Sequence, residues 1–173
     1  MKQLLVIFLL FVSIQTLGKE VAEDAYLLGA EDRIVVSVYL EPDLSVATKI
    51  SQTGHIDFPL LGRVKLAGLT LKSAKAHIEA RLRDGYLVKP SVSIAVEQYR
   101  PFFIYGEVIR PGSYKYQPGI TLEQVIALAG GLKDRASKKE WYILRGINKE
   151  KIPGQSDTKI RPGDVIKIEK SFF

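Results

Sequence analysis

The sequence predicts an α+β fold made of two small β-rich units, each with one main helix. Most segments alternate apolar and polar residues or are short and β-branched, as strands are. The pattern Gly-apolar-Thr-Leu occurs twice, at residues 68–71 and 119–122, which are 51 positions apart. Each copy opens a stretch with helical periodicity, so we expect two related units joined end to end.

The first unit is predicted to contain five strands and a helix. Thr70 has the position of an N-cap, an apolar stripe follows at helical spacing, and Gly85 ends the helix in a left-handed turn. Pro42 stops the first strand because proline cannot donate to a sheet. The predicted strands cover residues 34–40, 46–50, 55–58, 64–66 and 91–96.

The second unit is predicted to be β-grasp-like, and it begins after a boundary between Gln98 and Pro101. Strands at 102–105 and 113–116 flank a turn at Pro111-Gly112, in which proline fixes φ and glycine supplies a positive φ. Thr121 and Gln124 form a capping box for a helix over 122–129. Two further strands are expected at 140–144 and 165–169, with a polar loop over 149–156.

The first 18 residues are predicted to be a secretory signal peptide, cleaved after Gly18. Lys2 precedes an apolar run over residues 4–12, which is too short to span a bilayer. The sequence contains no cysteine, so we expect neither disulfides nor a lipid anchor on a mature N-terminal cysteine. The mature protein is expected to be soluble in an exported compartment.

The composition is that of an ordinary globular protein, with 46% hydrophobic and 25% charged residues. The net charge of +6 is mild, and the basic residues are scattered. Because no basic run marks a nucleic-acid surface, no nucleic-acid partner is predicted.

Candidate catalytic and metal-binding residues are few. His55 and His77 lie on different elements, and neither has a second ligand at metal-binding spacing, so no metal or cofactor is predicted. No phosphate-binding glycine loop or nucleophile elbow occurs. Carboxylate pairs such as Glu31 with Asp32, or Glu107 with Asp164, would matter only if they met in a cleft. The residues therefore favour a binding or assembly protein over an enzyme.

Two ordered series of residues resemble the bacterial polysaccharide biosynthesis/export family, in which a Wza-like export domain precedes a soluble-ligand-binding β-grasp (SLBB) domain. The export-domain series falls within residues 19–98 and comprises Tyr26, Leu28, Gly29, Asp32, Val36, Val38, Gly54, Ile56, Pro59, Leu61, Gly62, Gly68, Thr70, Pro90 and Val92. The SLBB series falls within residues 99–173 and comprises Gly106, Glu107, Val108, Pro111, Gly112, Thr121, Leu122, Ala129, Gly130, Gly131, Pro162, Gly163, Asp164, Val165 and Ile166.

The resemblance implies a periplasmic component of capsular or exopolysaccharide export across the outer membrane, acting by oligomeric assembly and without catalysis. It implies four partners: other copies of the chain, an inner-membrane polysaccharide co-polymerase, an outer-membrane pore protein and the polysaccharide. Full exporters of this type often carry a lipidated cysteine, further β-grasp repeats and a pore-lining C-terminal helix. The sequence shows none of these, so we expect a periplasmic ring or adaptor, in some settings associated with the outer membrane.

Three basic residues near the predicted Pro111-Gly112 turn are candidate contacts for an acidic glycan: Arg100, Arg110 and Lys115. The alternative function is a monomeric periplasmic glycan-binding or adaptor module, which would present an exposed aromatic platform at Trp141 or near Tyr114 and Tyr116. A secreted glycan-cleaving enzyme is a further alternative, and it would require two carboxylates that converge in a cleft.

Overall fold

The structure is a computed structural model that describes residues 26–146 and 148–171. The predicted signal peptide lies outside the described residues. The predicted α+β class with two small β-rich units is confirmed, since the described residues form two helices and three sheets. No helix in the described part of the chain is long and apolar enough to cross a membrane.

The first unit, residues 26–98, combines a three-stranded antiparallel sheet with a separate two-stranded hairpin. The sheet has the order β2-β1-β5, and β3 pairs with β4. Helix α1 packs against the sheet through Ala74, Ile78 and Leu82, which are fully buried. The elements are β1 (Arg33–Val38), β2 (Val46–Lys49), β3 (His55–Phe58), β4 (Gly62–Lys65), α1 (Leu71–Arg83) and β5 (Val92–Gln98), with a 3-10 turn at Pro42–Leu44.

The second unit, residues 101–171, is a five-stranded mixed sheet of order β7-β6-β10-β8-β9 with one helix. Its central pair, β6 and β10, is parallel, and the other pairs are antiparallel. Helix α2 contributes Leu122, Val125 and Ile126 to the core, where they meet Phe102 and Ile104. The elements are β6 (Phe102–Gly106), β7 (Gly112–Tyr114), α2 (Leu122–Leu128), β8 (Ala136–Arg145), β9 (Glu150–Pro153) and β10 (Val165–Lys170).

Both predicted helix starts are confirmed. The Thr70 side chain accepts a hydrogen bond from the Ser73 amide, and Thr121 and Gln124 form the reciprocal capping box. Each cap satisfies amide groups that a helix cannot pair internally.

Two local predictions in the second unit are wrong. Gly112 already belongs to β7, where it pairs with Ile104, so the connection is the longer loop 107–111 rather than a tight Pro-Gly corner. Val108 in that loop is fully buried and forms an isolated antiparallel β-bridge with Leu132. These contacts hold the loop against the core. The stretch predicted as a polar loop contains β9, an edge strand that pairs with β8.

Candidate functional site

A buried carboxylate, Asp32, organises the junction between the two units. It immediately precedes β1, has no exposed surface and accepts four hydrogen bonds. Its donors are the Tyr26 hydroxyl at 2.5 Å, the Gly29 amide at 2.7 Å, the Arg100 amide at 2.8 Å and Arg100 Nη1 at 3.0 Å. A buried charge is tolerated when it is paired and hydrogen-bonded in this way.

Arg100 connects this carboxylate to the second unit. Its Nε donates to the carbonyl of Pro162 at 3.2 Å, while Nη1 contacts Asp32. The guanidinium lies between two glycines, since a Cβ on Gly29 would lie 2.1 Å from Nη1 and a Cβ on Gly163 would lie 2.6 Å from Nε. A side chain at either position would displace the guanidinium, and Gly163 also has a positive φ of 81°.

The neighbouring residue Tyr99 makes a second contact across the junction. Its ring meets Tyr26 edge-on at a centroid distance of 5.0 Å, and it meets Tyr116 of the second unit at 5.3 Å. Such edge-to-face pairs add about 0.5–1.5 kcal/mol each beyond area burial. The connection thus touches both units through two successive side chains, Tyr99 and Arg100.

The environment of Tyr26 raises the pKa of its hydroxyl above the ordinary value. Burial is the largest cause, and the hydrogen bond to Asp32 and the charge of that carboxylate act in the same direction. The tyrosine is therefore held as a neutral donor, which is the form that the Asp32 carboxylate needs.

Asp164 repeats the arrangement inside the second unit. It is 1% exposed and accepts hydrogen bonds from Arg145 Nε at 3.0 Å, from Arg145 Nη2 at 2.7 Å and from the Arg161 amide at 2.8 Å. In both turns the aspartate side chain accepts from the amide three residues earlier, as Asp32 does from Gly29. Both buried carboxylates therefore hold turns and neutralise arginines.

A cleft of about 600 Å³ opens beside Arg100, between the two units. The first unit contributes Gln52, Thr53 and Lys65, and the second contributes the loop at Pro162 and Gly163. Clefts between domains are frequent ligand sites, and this volume is within the usual range. The cleft was not anticipated from sequence, because its walls are distant in the chain.

Arg110 lies in a different groove of about 620 Å³, between α2 and the loop over 117–120. Its Nη2 donates to the carbonyl of Leu128 at 3.1 Å, and Gln117 and Gln124 line the same groove. Lys115 is exposed and lines neither this groove nor the cleft beside Arg100. The structure therefore does not bring the three candidate glycan contacts together.

The aromatic residues named for the alternative function are largely covered. The Trp141 indole N–H donates to the Ser137 carbonyl at 2.7 Å, and its ring packs on the second core, as do Tyr114 and Tyr116. More exposed aromatic rings occur on β6, where Phe103 and Tyr105 are 45% and 40% exposed. They alternate with the buried residues of that strand and so lie on the face opposite α2.

The remaining sequence candidates form no cluster. The Glu31 carboxylate binds Lys49 and Gln52, and the hydrogen bond and charge of Lys49 lower its pKa. No hydrogen bond or ion pair joins Glu107 to Asp164 within the described ranges. Among the residues that the structure describes, no group of three His, Asp or Glu side chains is arranged to hold a metal.

Comparison with protein families assigns both units. Residues 20–97 match the family described as polysaccharide biosynthesis/export protein, and residues 101–158 match the SLBB domain. The chain therefore carries a polysaccharide biosynthesis/export domain followed by an SLBB domain. Asp32 falls within the matched export region, whereas Arg100 lies just outside both matches, in the connection.

Two named relatives share slightly more than a quarter of their aligned residues with this chain. The exopolysaccharide production protein ExoF of Rhizobium meliloti is 28% identical over 137 residues, covering 72% of this chain and 32% of ExoF. The polysialic acid transport protein KpsD of Escherichia coli is 27% identical over 124 residues, covering 70% of this chain and 22% of KpsD. The chain therefore spans about a third or less of the length of these relatives.

Proposed function

We propose that this protein is a periplasmic component of capsular or exopolysaccharide export across the outer membrane. The observation that carries the proposal is the tandem match of an export domain and an SLBB domain on one chain. The names of the relatives ExoF and KpsD, which refer to exopolysaccharide production and polysialic acid transport, support the same process. The predicted signal peptide supports the compartment.

The protein acts in this proposal by assembly and binding, with no covalent step. Both buried carboxylates, Asp32 and Asp164, are neutralised by arginines, so neither is offered as an acid or base. Strand edges support self-association: β2 and β5 border the first sheet, and β7 and β9 border the second. Exposed edges present unpaired backbone groups that can join strands of another copy.

The proposed partners are further copies of the chain, an inner-membrane polysaccharide co-polymerase, an outer-membrane pore protein and the polysaccharide. Arg110 and Lys115 are proposed glycan contacts at two separate places on the second unit. Arg110 is the better placed of the two, because its groove also offers the amides of Gln117 and Gln124.

Deletion of the gene tests the export proposal. The deletion strain is expected to release less polysaccharide into the medium and to retain it in the cell envelope, and a plasmid copy should restore release. Release and retention are measured as acid-hydrolysed sugar in the medium and in the periplasmic extract. Unchanged release would contradict the proposal, and loss of the polymer from every fraction would point to synthesis instead.

Native mass spectrometry of the processed protein tests assembly. A concentration series with and without membrane extract is expected to show a discrete high-order oligomer. A stable monomer in every condition would contradict self-assembly and would favour the adaptor or glycan-binding module.

A further inference from the structure

The cleft between the two units has walls rich in glycine. Five of its lining residues are glycines: Gly29, Gly54, Gly68, Gly146 and Gly163. A Cβ built at Gly68 or Gly146 would meet nothing within 4 Å, so the backbone there faces open space. A wall made of bare backbone lets a flat ring approach closely.

The polar groups that line the cleft are mostly hydrogen-bond donors. No Asp or Glu is among the lining residues. Lys65 is exposed, and its ammonium forms no ion pair or hydrogen bond with the described residues. Arg100 uses Nε and Nη1 for the junction, which leaves both donors of Nη2 unused within the described structure.

Of these two cations, only Arg100 is offset by a nearby acidic group. The Asp32 carboxylate is completely buried and its charge is matched by Arg100. The Glu31 carboxylate is bound by Lys49 and by the Gln52 amide. The unpaired positive charge of the cleft therefore comes from Lys65, and its ammonium together with the unused Nη2 donors of Arg100 suits a carboxylate.

The rest of the lining suits a sugar ring. Gln52 keeps its amide oxygen for a hydroxyl donor, whereas the Thr53 hydroxyl in the same wall already contacts Ser51, His55 and Arg63. Ala30, Ala67 and Pro162 supply apolar surface for the C–H faces of a ring. A mostly apolar cleft with a few fixed polar groups is the usual form of a small-molecule site.

We propose that this cleft binds an acidic saccharide unit, whose carboxylate contacts Lys65 and Arg100 Nη2 and one of whose hydroxyls donates to the amide oxygen of Gln52. The proposal rests on the proposed export function for the source of the ligand, but its geometry stands independently. Because the two units form opposite walls, a bound saccharide would contact both of them.

An NMR titration tests this proposal, because the backbone amide of each of the five lining glycines gives a separate signal in a two-dimensional spectrum. The protein, in the form isolated from the cell envelope, is titrated with α-1,4-linked trigalacturonate and, separately, with uncharged α-1,4-galactotriose. The acidic probe is expected to shift the Gly68 and Gly146 signals, and to leave Gly119 in the Arg110 groove unchanged. Addition of salt should weaken the binding, because ionic contacts are screened.

Substitution of Lys65 tests the ionic contact without touching the junction. Lys65→Ala is expected to weaken trigalacturonate binding about tenfold, as expected for one hydrogen bond to a charged group. Lys89→Ala is the matched control, since Lys89 is also exposed but precedes β5 at the end of the sheet away from the junction. Its affinity for the probe is expected to be unchanged.

Three outcomes would overturn the cleft proposal: equal binding of the uncharged trisaccharide, shifts confined to Gly119 or to Tyr105 on the open sheet face, or no shift at all. Their meaning is separate from that of the deletion experiment. If the cleft signals do not move but the deletion strain fails to release polysaccharide, only the cleft proposal fails. If Lys65-dependent binding occurs but the deletion strain exports normally, only the export proposal fails.

Discussion

Replacement of Asp32 by alanine should separate the unfolding of the two units. The substitution removes four hydrogen bonds and leaves Arg100, whose side chain is 26% exposed, without its counter-ion. Breaking a buried pair by removing one partner costs about 3–5 kcal/mol. Because Arg100 still reaches some water, we expect the lower end, about 3 kcal/mol.

Equilibrium urea unfolding with two probes measures this effect. Trp141 is the single tryptophan and lies in the second unit, so its fluorescence reports that unit alone, whereas far-ultraviolet circular dichroism reports both. With a slope of about 1.5 kcal/mol per molar urea, a loss of about 3 kcal/mol moves the midpoint of the first unit by about 2 M. The two probes should coincide in the unchanged protein and diverge in Asp32→Ala.

Asp57→Ala is the matched control for this experiment. Asp57 is an exposed aspartate on β3 of the same unit, and its replacement should change the free energy of unfolding by less than about 0.5 kcal/mol. If Asp32→Ala were no more destabilising than Asp57→Ala, the junction would not depend on the buried carboxylate. Coincident transitions in Asp32→Ala, shifted together, would show that the two units remain coupled without it.

Three further substitutions test other parts of the fold. Gly106→Ala should be more destabilising than Gly119→Ala by at least about 2 kcal/mol in urea unfolding. Both glycines have a positive φ, but only at Gly106 would a Cβ lie 2.1 Å from a backbone carbonyl oxygen, that of Ile168 in β10. Thr121→Ala should cost about 1 kcal/mol, read from the Trp141 fluorescence midpoint, and an unchanged midpoint would contradict a role for the capping box. The pKa of Tyr26 is raised in the folded state, so its neutral form contributes stability that is complete below a pH of about 10 and falls above it. The free energy of unfolding of Tyr26→Phe should therefore fall less between pH 9 and 11 than that of the unchanged protein. Parallel pH profiles of the two free energies would refute this.

The features that could be predicted from sequence are those set by neighbours in the chain. The caps at Thr70 and Thr121 depend on amide groups three residues away, so the local pattern is sufficient. The strand over residues 55–58 was predicted with its observed bounds, because a turn at Gly54 begins it and Pro59 ends it. Alternation also predicts the strand that becomes β1, and its alternating residues Ile34, Val36 and Val38 are buried.

The errors arose where distant residues decide the local structure. Residues 150–153 are polar and lack a strand pattern, and they become a strand because β8 offers an unpaired edge. The loop at 107–111 was interpreted as a tight turn because its burial, through Val108 and the bridge to Leu132, depends on a segment more than 20 positions away. Pairing of this kind leaves little trace in the local sequence.

The candidate site was predicted only in part. Arg100 is selected for its charge and its position near the Pro111-Gly112 turn, but its partner Asp32 is 68 positions away and is named only in a carboxylate pair with Glu31 and in the export-domain series. A signal was present, since Asp32 and Asp164 each follow a glycine-containing turn and precede a β-branched strand. Lys65 was missed because a lysine at the end of a short strand looks like any solvated residue.

The two aspartate turns show why the junction and the cleft must be tested with different substitutions. Asp164 takes its arginine from its own sheet, so that pair stabilises one unit. Asp32 takes its arginine from the connection, so the same guanidinium holds the units together and lines the cleft. Loss of Asp32 should therefore disturb both stability and binding, whereas loss of Lys65 should disturb binding alone. If Lys65→Ala weakened trigalacturonate binding and left the urea midpoints from fluorescence and circular dichroism unchanged, Lys65 would contribute to ligand binding and not to the stability of the fold.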